Sequence, residues 1–302
     1  PTATPESFFP ATAEVTQDPL VLINPTPTPD LVNPNPVRIT ELEYLQEDTG
    51  LLIMAKLFNN LSDAILRDVQ LEVLALDASG NRIAQQRTAF RYLFPNETTS
   101  LVQKFELNAG LVITGVEVRV VDGLIDRTLK YAQPLTVSNT SAFRVGNDYA
   151  VTGWLSNSDP YTYTQVLLNA IAYNASGQIV GGGQANFDFV PEEDQVGFSI
   201  LVNSRRGEVV DHVDVSAWIT SYSASLEGGN WWNSVSTGEW NFAIDQFNQI
   251  TGGAVLKNET DQVLTETFIV LTVSDAENRV CYAGNEYFDV IWPNETIFYA
   301  LN

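Results

Sequence analysis

Hydrophobic and polar positions along residues 37–302 alternate with a period of two, in runs separated by Asn, Asp, Gly and Pro. Side chains on a β-strand point alternately to the two faces of a sheet, so this alternation predicts half-buried strands. The runs VQLEVLAL, QVLLNAIAY and TFIVLTV are rich in β-branched and aromatic residues, which favour strands. No stretch carries an apolar stripe of helical period. We therefore expect an all-β fold of antiparallel sandwiches.

The pattern occurs three times, and each copy has the same punctuation. The first strand of each copy ends at an Asn, the next closes on an Asp or Asn, a hairpin turn follows, and a Pro comes later. The four sets of positions are Asn59, Asn157 and Asn258; Asp77, Asn174 and Asp275; Gly80, Gly177 and Asn278; and Pro95, Pro191 and Pro293. Gly and Asn adopt positive φ cheaply, so the third set is predicted to be left-handed. We interpret the Asn, Asp and Gly positions as structural, shaping turns rather than binding a ligand.

The repeats predict three tandem immunoglobulin-like sandwiches preceded by an extended N-terminal tail. The predicted parts are a Thr/Pro-rich tail at 1–36, domain 1 at 37–125, domain 2 at 134–222, a Trp-rich linker at 223–239 and domain 3 at 240–302. The third copy reaches IWPNETIFYALN without a counterpart of LVITGVEVRVV, the final strand of the first copy. Domain 3 is therefore expected to lack its last strand.

The blocks resemble the FxLYD-type immunoglobulin-like domains of prokaryotic surface proteins. The resemblance is carried by the strand that ends at Asn, by VLAL-Asp, IAY-Asn and LTVS-Asp with their hairpins, and by the Pro-Asn-Glu or Pro-Glu-Glu turn. It covers roughly residues 37–302. It implies extracytoplasmic, non-catalytic modules with no active site to carry over.

The tail contains an apolar island, Leu20, Val21, Leu22 and Ile23, between Pro19 and Pro25. Thr-Pro runs favour extended polyproline conformation and resemble stalks of bacterial surface lipoproteins, but a spacer has no use for four aliphatic residues. The island has the length and apolarity of a strand. We therefore interpret it as a donor strand for the incomplete third domain of another copy, with Tyr299, Ala300 and Leu301 as the acceptor edge.

The early stop of the third copy is also compatible with two alternatives to donation by a neighbour. The missing strand follows Asn302 in a longer chain, or the chain completes its own third domain. The twelve residues 25–36 reach about 37 Å as polyproline. A sandwich is roughly 20–33 Å long, so two domains in line need about 40–66 Å. This comparison favours a neighbouring copy over self-insertion.

Composition narrows the classes of partner. The net charge is −22, a field that repels nucleic acid and anionic lipid. No apolar run is long enough to span a bilayer, so we expect neither a nucleic-acid partner nor membrane insertion within this segment. The sequence begins without Met, and we expect a processed chain whose signal peptide has been removed.

Catalytic and metal chemistry find little support in the sequence. Cys281 is the only cysteine and His212 the only histidine, and no Walker loop, HExxH or CxxC is present. His212 with Asp211 and Asp214 is a candidate metal site, but ligands usually converge from several segments, so we interpret His212 as a solvent-facing strand residue. We expect no enzyme, no cofactor and no metal.

Two features of the sequence are candidates for glycan attachment and for glycan binding. Six N-x-S/T sequons are candidate glycosylation sites: Asn60, Asn96, Asn139, Asn174, Asn258 and Asn294. The pair Trp231 and Trp232, with Tyr161 and Tyr163, forms a candidate sugar platform, against the simpler interpretation that the tryptophans stiffen the junction between domains.

Together these features predict an extracellular, cell-surface structural protein, the subunit of a filament or pilus. A head-to-tail contact between copies is open and builds a homopolymer. The alternative is a monomeric, stalk-borne surface protein whose modules bind carbohydrate or protein in adhesion.

Overall fold

The structure, a computed structural model, describes residues 36–128, 133–220, 235–244 and 250–301. Within these ranges the chain forms seventeen β-strands and no α-helix, so the predicted all-β class is confirmed. No helix in the described part of the chain could cross a membrane. The predicted donor residues Leu20, Val21, Leu22 and Ile23, and the tryptophans Trp231 and Trp232, lie outside the described residues.

Domain 1 is a sandwich of two three-stranded antiparallel sheets. Its strands are β1 (Val37–Glu47), β2 (Gly50–Asn59), β3 (Ile65–Leu76), β4 (Arg82–Leu93), β5 (Thr98–Glu106) and β6 (Gly115–Asp126). One sheet has the order β1-β2-β5 and the other β4-β3-β6. The sixth strand therefore returns to pair with the third, which lies between the fourth and the sixth.

Domain 2 repeats this topology. Its strands are β7 (Leu135–Val145), β8 (Asp148–Asn157), β9 (Val166–Tyr173), β10 (Ile179–Phe187), β11 (Gln195–Ser204) and β12 (His212–Ile219). The two sheets join where Gly181 and Gly182 of β10 pair with β11, giving the order β12-β9-β10-β11-β8-β7. A Cβ on Gly181 would lie 2.5 Å from the Asn203 carbonyl oxygen, so only glycine allows this approach.

Domain 3 shows five strands among the described residues. They are β13 (Val235–Ile244), β14 (Ile250–Asn258), β15 (Leu264–Ser274), β16 (Val280–Ile291) and β17 (Thr296–Leu301). They form the sheets β13-β14-β17 and β15-β16. Among the described residues, domain 3 thus lacks a sixth strand, as the sequence predicts. The domain begins earlier than predicted, however, because β13 starts at Val235, inside the predicted linker, and pairs with β14.

The topology shows which edge the sixth strand would occupy. In the first two domains that strand pairs with the third, as β6 with β3 and β12 with β9. In domain 3 the corresponding strand is β15, which among the described residues pairs with β16 alone. The predicted acceptor edge of Tyr299, Ala300 and Leu301 lies on β17 instead, which is the fifth strand and pairs with β14. The predicted acceptor residues and the open position beside β15 therefore lie on different sheets.

The cores of domains 1 and 2 are closed over the inner face of the third strand. Leu71 and Val73 of β3 and Leu168 and Ala170 of β9 are all fully buried. On β15 the counterpart of Val73, Leu271, is buried at 6% exposure, but the counterpart of Leu71, Ile269, is only half-buried against the small cluster of Leu256, Leu271 and Tyr299. The unpaired edge of β15 among the described residues thus coincides with incomplete burial of Ile269.

Candidate functional site: domain junctions and open strand edges

The strand-ending Asn of each domain fastens three segments together, an arrangement we call the Asn pin. Each pin side chain is buried and donates from Nδ2 to carbonyl oxygens of two loops, while its Oδ1 accepts the backbone N–H two residues further on. Asn59 reaches the oxygens of Ala64, Leu93 and Phe94 at 3.0, 3.1 and 3.0 Å. Asn157 and Asn258 make the equivalent bonds to Tyr161 and Pro191, and to Gln262, Ile291 and Trp292. All donor capacity is spent on backbone, so the pins hold loops and bind no ligand.

The hairpin turns after the third strand follow the prediction. Gly80, Gly177 and Asn278 have φ of +79°, +76° and +61°. The carboxylate of Asp77 accepts the N–H groups of Ser79 and Asn81, both at 2.8 Å. These charge-assisted bonds, with the Asn81 side-chain bond first, lower the pKa of Asp77. Asn174 and Asp275 make the same pair of bonds, so this set is structural as well.

The junction between domains 1 and 2 is built on the free edge of β5. The N–H of Ser100 donates to Ser216 Oγ at 3.0 Å, and that of Val102 donates to Asn169 Oδ1 at 3.1 Å. Side chains of domain 2 thus accept hydrogen bonds from backbone N–H groups of β5. Without these bonds the same groups would be free to pair with another strand. Gly182 lies against Met54, where a Cβ would be 2.8 Å from the Met54 side chain.

The sixth strand of domain 2 contributes half of this junction. Its inward residues line the core of domain 2, while Asp214, Ser216 and Trp218 face domain 1. Asp214 pairs with the buried Lys56 ammonium at 2.8 Å. Trp218 donates from Nε1 to Thr99 Oγ1 at 2.8 Å and its ring lies 4.6 Å from that of Phe90. The strand β12 therefore both completes domain 2 and docks on domain 1.

The junction between domains 2 and 3 uses the equivalent edge, β11, but a different partner strand. Gly197, the counterpart of Ser100, donates its N–H to Thr272 Oγ1 of β15 at 3.0 Å. Trp154 donates from Nε1 to the carbonyl of Asn278, and Thr152 donates to that of Val280, at 2.9 and 2.5 Å. The third strand β15 thus takes the place that the sixth strand β12 has at the first junction.

A carboxylate in the loop between β4 and β5 of domain 1 is strongly perturbed. Burial raises the pKa of Glu97 to about 7, against the opposing effect of hydrogen bonds from the Phe94 N–H and from Gln133. Those bonds measure 2.7 and 2.9 Å. Since Gln133 precedes β7, Glu97 ties this loop to the start of domain 2.

The six sequons differ in how far the structure exposes their Asn side chains. Asn60, Asn96, Asn139 and Asn294 are exposed. Asn174 is half-buried and occupied by the turn bonds described above. Asn258 is a pin with 0% exposure, so it cannot carry a glycan in the folded chain. Four candidate glycosylation positions therefore remain.

The remaining candidate residues stand apart from one another. The ring of His212 is exposed, stacks on Tyr173 at 4.9 Å and lies 3.2 Å from Asp211. The described part of the chain holds no group of three His, Cys, Asp or Glu side chains fit for a metal. Tyr161 is exposed but Tyr163 has 0% exposure, so the two tyrosines do not form the predicted shared platform. Cys281 is exposed.

Comparison with known proteins finds likenesses among solved structures. No family model and no curated protein matches the chain. One solved structure to which the chain is similar is described as the structure of a beta-glucuronidase from glycoside hydrolase family 2, with 10% identity and a TM-score of 0.21. The match covers 82% of this chain and 25% of that one, so the chain spans a quarter of the length of the structure it matches. No function is carried over from this likeness.

Proposed function

We propose that the chain is a non-catalytic structural protein of the cell surface, a stiff array of three sandwiches that assembles head-to-tail with copies of itself. In this proposal β15 of one copy receives Leu20–Ile23 from the tail of the next. The contact is heterologous and open, and it therefore builds a filament.

One observation carries the proposal: β15 has an unpaired edge among the described residues at the place where β3 and β9 each hold a sixth strand. Unpaired N–H and C=O groups on a strand of eleven residues are a template for strand addition. The half-buried Ile269 gives the incoming side chains an apolar surface. In this proposal the acceptor edge is therefore β15 in place of Tyr299–Leu301.

The tail offers a segment of suitable chemistry. Leu20–Asn24 is free of Pro and lies between Pro19 and Pro25, which end backbone pairing on both sides. Alternate aliphatic side chains of the island would face the core of domain 3 and the others would face outward. Each fully buried aliphatic contributes about 1.5–3 kcal/mol before the cost of ordering the tail.

An extracellular location fits the surface. The four exposed sequons are open to modification, and the acidic surface keeps a long array soluble. The two junctions, closed by buried hydrogen bonds and by the Lys56–Asp214 pair, would keep successive domains from pivoting freely.

The test compares Leu22→Asp with the matched spacer variant Thr28→Asp. Both add one negative charge to the tail, but only the first places a carboxylate on the island. Sedimentation velocity over a range of concentrations should show large species for the wild type and Thr28→Asp, and monomer for Leu22→Asp. Assembly that persists in Leu22→Asp would overturn strand donation. A wild type that stays monomeric at every concentration would favour the monomeric binding module instead.

A further inference from the structure

The outer face of the sheet β13-β14-β17 in domain 3 has the same position in the fold as the two faces that form the domain junctions. In each domain the backbone N–H of the Asn pin donates to the carbonyl of the residue directly before the fifth strand. This shared bond fixes the alignment of the three fifth strands. The residues three positions beyond that carbonyl are therefore equivalent: Ser100, Gly197 and Phe298.

This position is covered in the first two domains and open in the third. In domain 1, Ser100 and its cross-strand neighbour Lys56 lie beneath domain 2 and are 0% and 6% exposed. In domain 2, Gly197 lies beneath Thr272 of domain 3 and is buried. In domain 3, Phe298 is 65% exposed. The third copy of the junction face is thus uncovered.

The uncovered face is apolar. Phe298 and Ala300 of β17 are exposed, and Val255 of β14, which pairs with Phe298, is half-buried beside them. The Phe298 ring leans over Gly253, where a Cβ would lie 2.7 Å from it, so the ring rests on the outside of the sheet. An exposed aromatic ring at a position that is buried in both other domains indicates a docking surface.

The first junction shows what such a face meets. Ser100 contacts Ser216 of β12, which pairs with Asn169 of β9 on the outer face of the following domain. In domain 1 the corresponding face belongs to the sheet β4-β3-β6, and the described chain places no earlier domain against it. There Arg119 of β6 pairs with Glu72 of β3. Since Glu72 and Asn169 both lie five residues before the end of the third-strand motif, Arg119 corresponds to Ser216.

The chemistry of the two faces is complementary. By this correspondence Arg119 would meet Phe298 if domain 1 of one copy lay on domain 3 of another. A guanidinium group stacks favourably on an aromatic face, and the Arg119 side chain is 57% exposed. Arg119 pairs with Glu117, and Arg87 pairs with Glu72 at 3.5 Å. The charges of this face therefore balance locally, although the chain as a whole carries −22.

We infer that the outer face of β13-β14-β17 in domain 3 binds the outer face of β4-β3-β6 in domain 1 of a second copy, with Phe298 against Arg119. The contact repeats the first domain junction between two chains, so the array continues from one copy to the next. It is heterologous and open. The inference rests on the head-to-tail assembly of the proposed function, but it does not require the donated strand.

Sedimentation equilibrium of Phe298→Lys tests this face, with Leu201→Lys as the matched control. Leu201 is a 56% exposed apolar residue on the fifth strand of domain 2, outside the inferred contact. Phe298→Lys should raise the dissociation constant of self-association about tenfold or more, because it removes the ring and places a second cation against Arg119. Leu201→Lys should leave the constant unchanged. An unchanged constant in Phe298→Lys would overturn the inference.

A charge exchange tests the pairing of the two residues. Arg119→Glu alone should also weaken association, whereas the chain that carries both Phe298→Lys and Arg119→Glu should recover most of the loss, since the new charges attract. Losses that simply add in the double variant would contradict the pairing. Both side chains are exposed, so the denaturation midpoint of the dilute monomer should match that of the wild type in all these variants.

Leu22→Asp separates this interface from strand donation. If both contacts are needed, association is lost in Leu22→Asp and in Phe298→Lys. Association that is lost in Phe298→Lys but kept in Leu22→Asp would support the face contact and overturn donation. Association that is lost in Leu22→Asp but unchanged in Phe298→Lys would support donation and overturn the face contact. A wild type that stays monomeric at every concentration would overturn both.

Discussion

Domains 1 and 3 share a five-strand skeleton and the same local devices, but differ in how far their cores are closed. Both have a buried Asn pin with three carbonyl partners, a hairpin turn with a left-handed residue, and a fifth strand paired with the second. In domain 1 the third strand is flanked on both sides and Leu71 is fully buried. In domain 3 the described residues flank β15 on one side, and the equivalent Ile269 is half-buried.

This difference shows which parts of the fold are local. Pins and turns are made by residues a few positions apart and by the loops they meet, so they form with or without a sixth strand. Closure of the core depends on a long-range pairing, in which the sixth strand returns to pair with the third. The local devices can therefore be identical in two domains whose cores differ in burial.

The largest effect on stability is expected from truncating core side chains at two equivalent positions. Leu71→Ala should cost about 2–5 kcal/mol, as for a fully buried aliphatic residue. Ile269→Ala should cost only about 1 kcal/mol in the monomer, because its side chain is already partly in water. Chemical denaturation of both variants at low concentration measures the two losses.

The stability losses of the same two variants should differ in another way when the protein concentration is raised. Under assembling conditions the loss caused by Ile269→Ala should grow, since a donated strand buries that side chain, while the loss caused by Leu71→Ala stays constant. Equal losses for the two variants in the monomer would contradict the account of an open third domain.

A smaller effect is expected from pH at Glu97. Its pKa is raised from 4.5 to about 7 by burial, so the folded state holds a proton that the unfolded state releases. The stabilising contribution is fully present below pH 4.5, is lost as the pH rises to about 7, and then stays constant. At about 1.4 kcal/mol per pKa unit, the loss is about 3–4 kcal/mol. Denaturation of domain 1 as a function of pH measures it.

The matched variants are Glu97→Gln and Glu295→Gln. Glu295 accepts the Trp292 N–H at 2.7 Å, as Glu97 accepts the Phe94 N–H, but in domain 3. Glu97→Gln should flatten the decline of stability between pH 4.5 and 7. A slope that survives in Glu97→Gln would assign the pH dependence to another group.

Much of the fold could be predicted because its signals are local. The period-two alternation gives the strands, and Gly80, Gly177 and Asn278 occupy positive φ as their residue types require. The structural interpretation of the strand-ending Asn residues agrees with the pins. Their burial, however, has a consequence that the sequence could not show: Asn258 satisfies a sequon but lies beneath two loops.

The features that the sequence alone does not locate depend on distant pairings. Tyr299–Leu301 precede the missing strand in the chain, but adjacency in sequence is not adjacency in a sheet, since the sixth strand crosses to the third. Composition places Val235 in a linker because the stretch around it is rich in Gly, Trp and Asn, and only its pairing with Asn258 reveals a strand.

The most direct test of the central claim is hydrogen exchange at the backbone amides of β15 as a function of concentration. If β15 receives a strand from a neighbour, its outer-edge amides should exchange freely in the dilute chain and become protected as assembly proceeds. Leu22→Asp should remove this protection and Thr28→Asp should retain it. Protection of β15 that is the same at every concentration and in both variants would contradict the account.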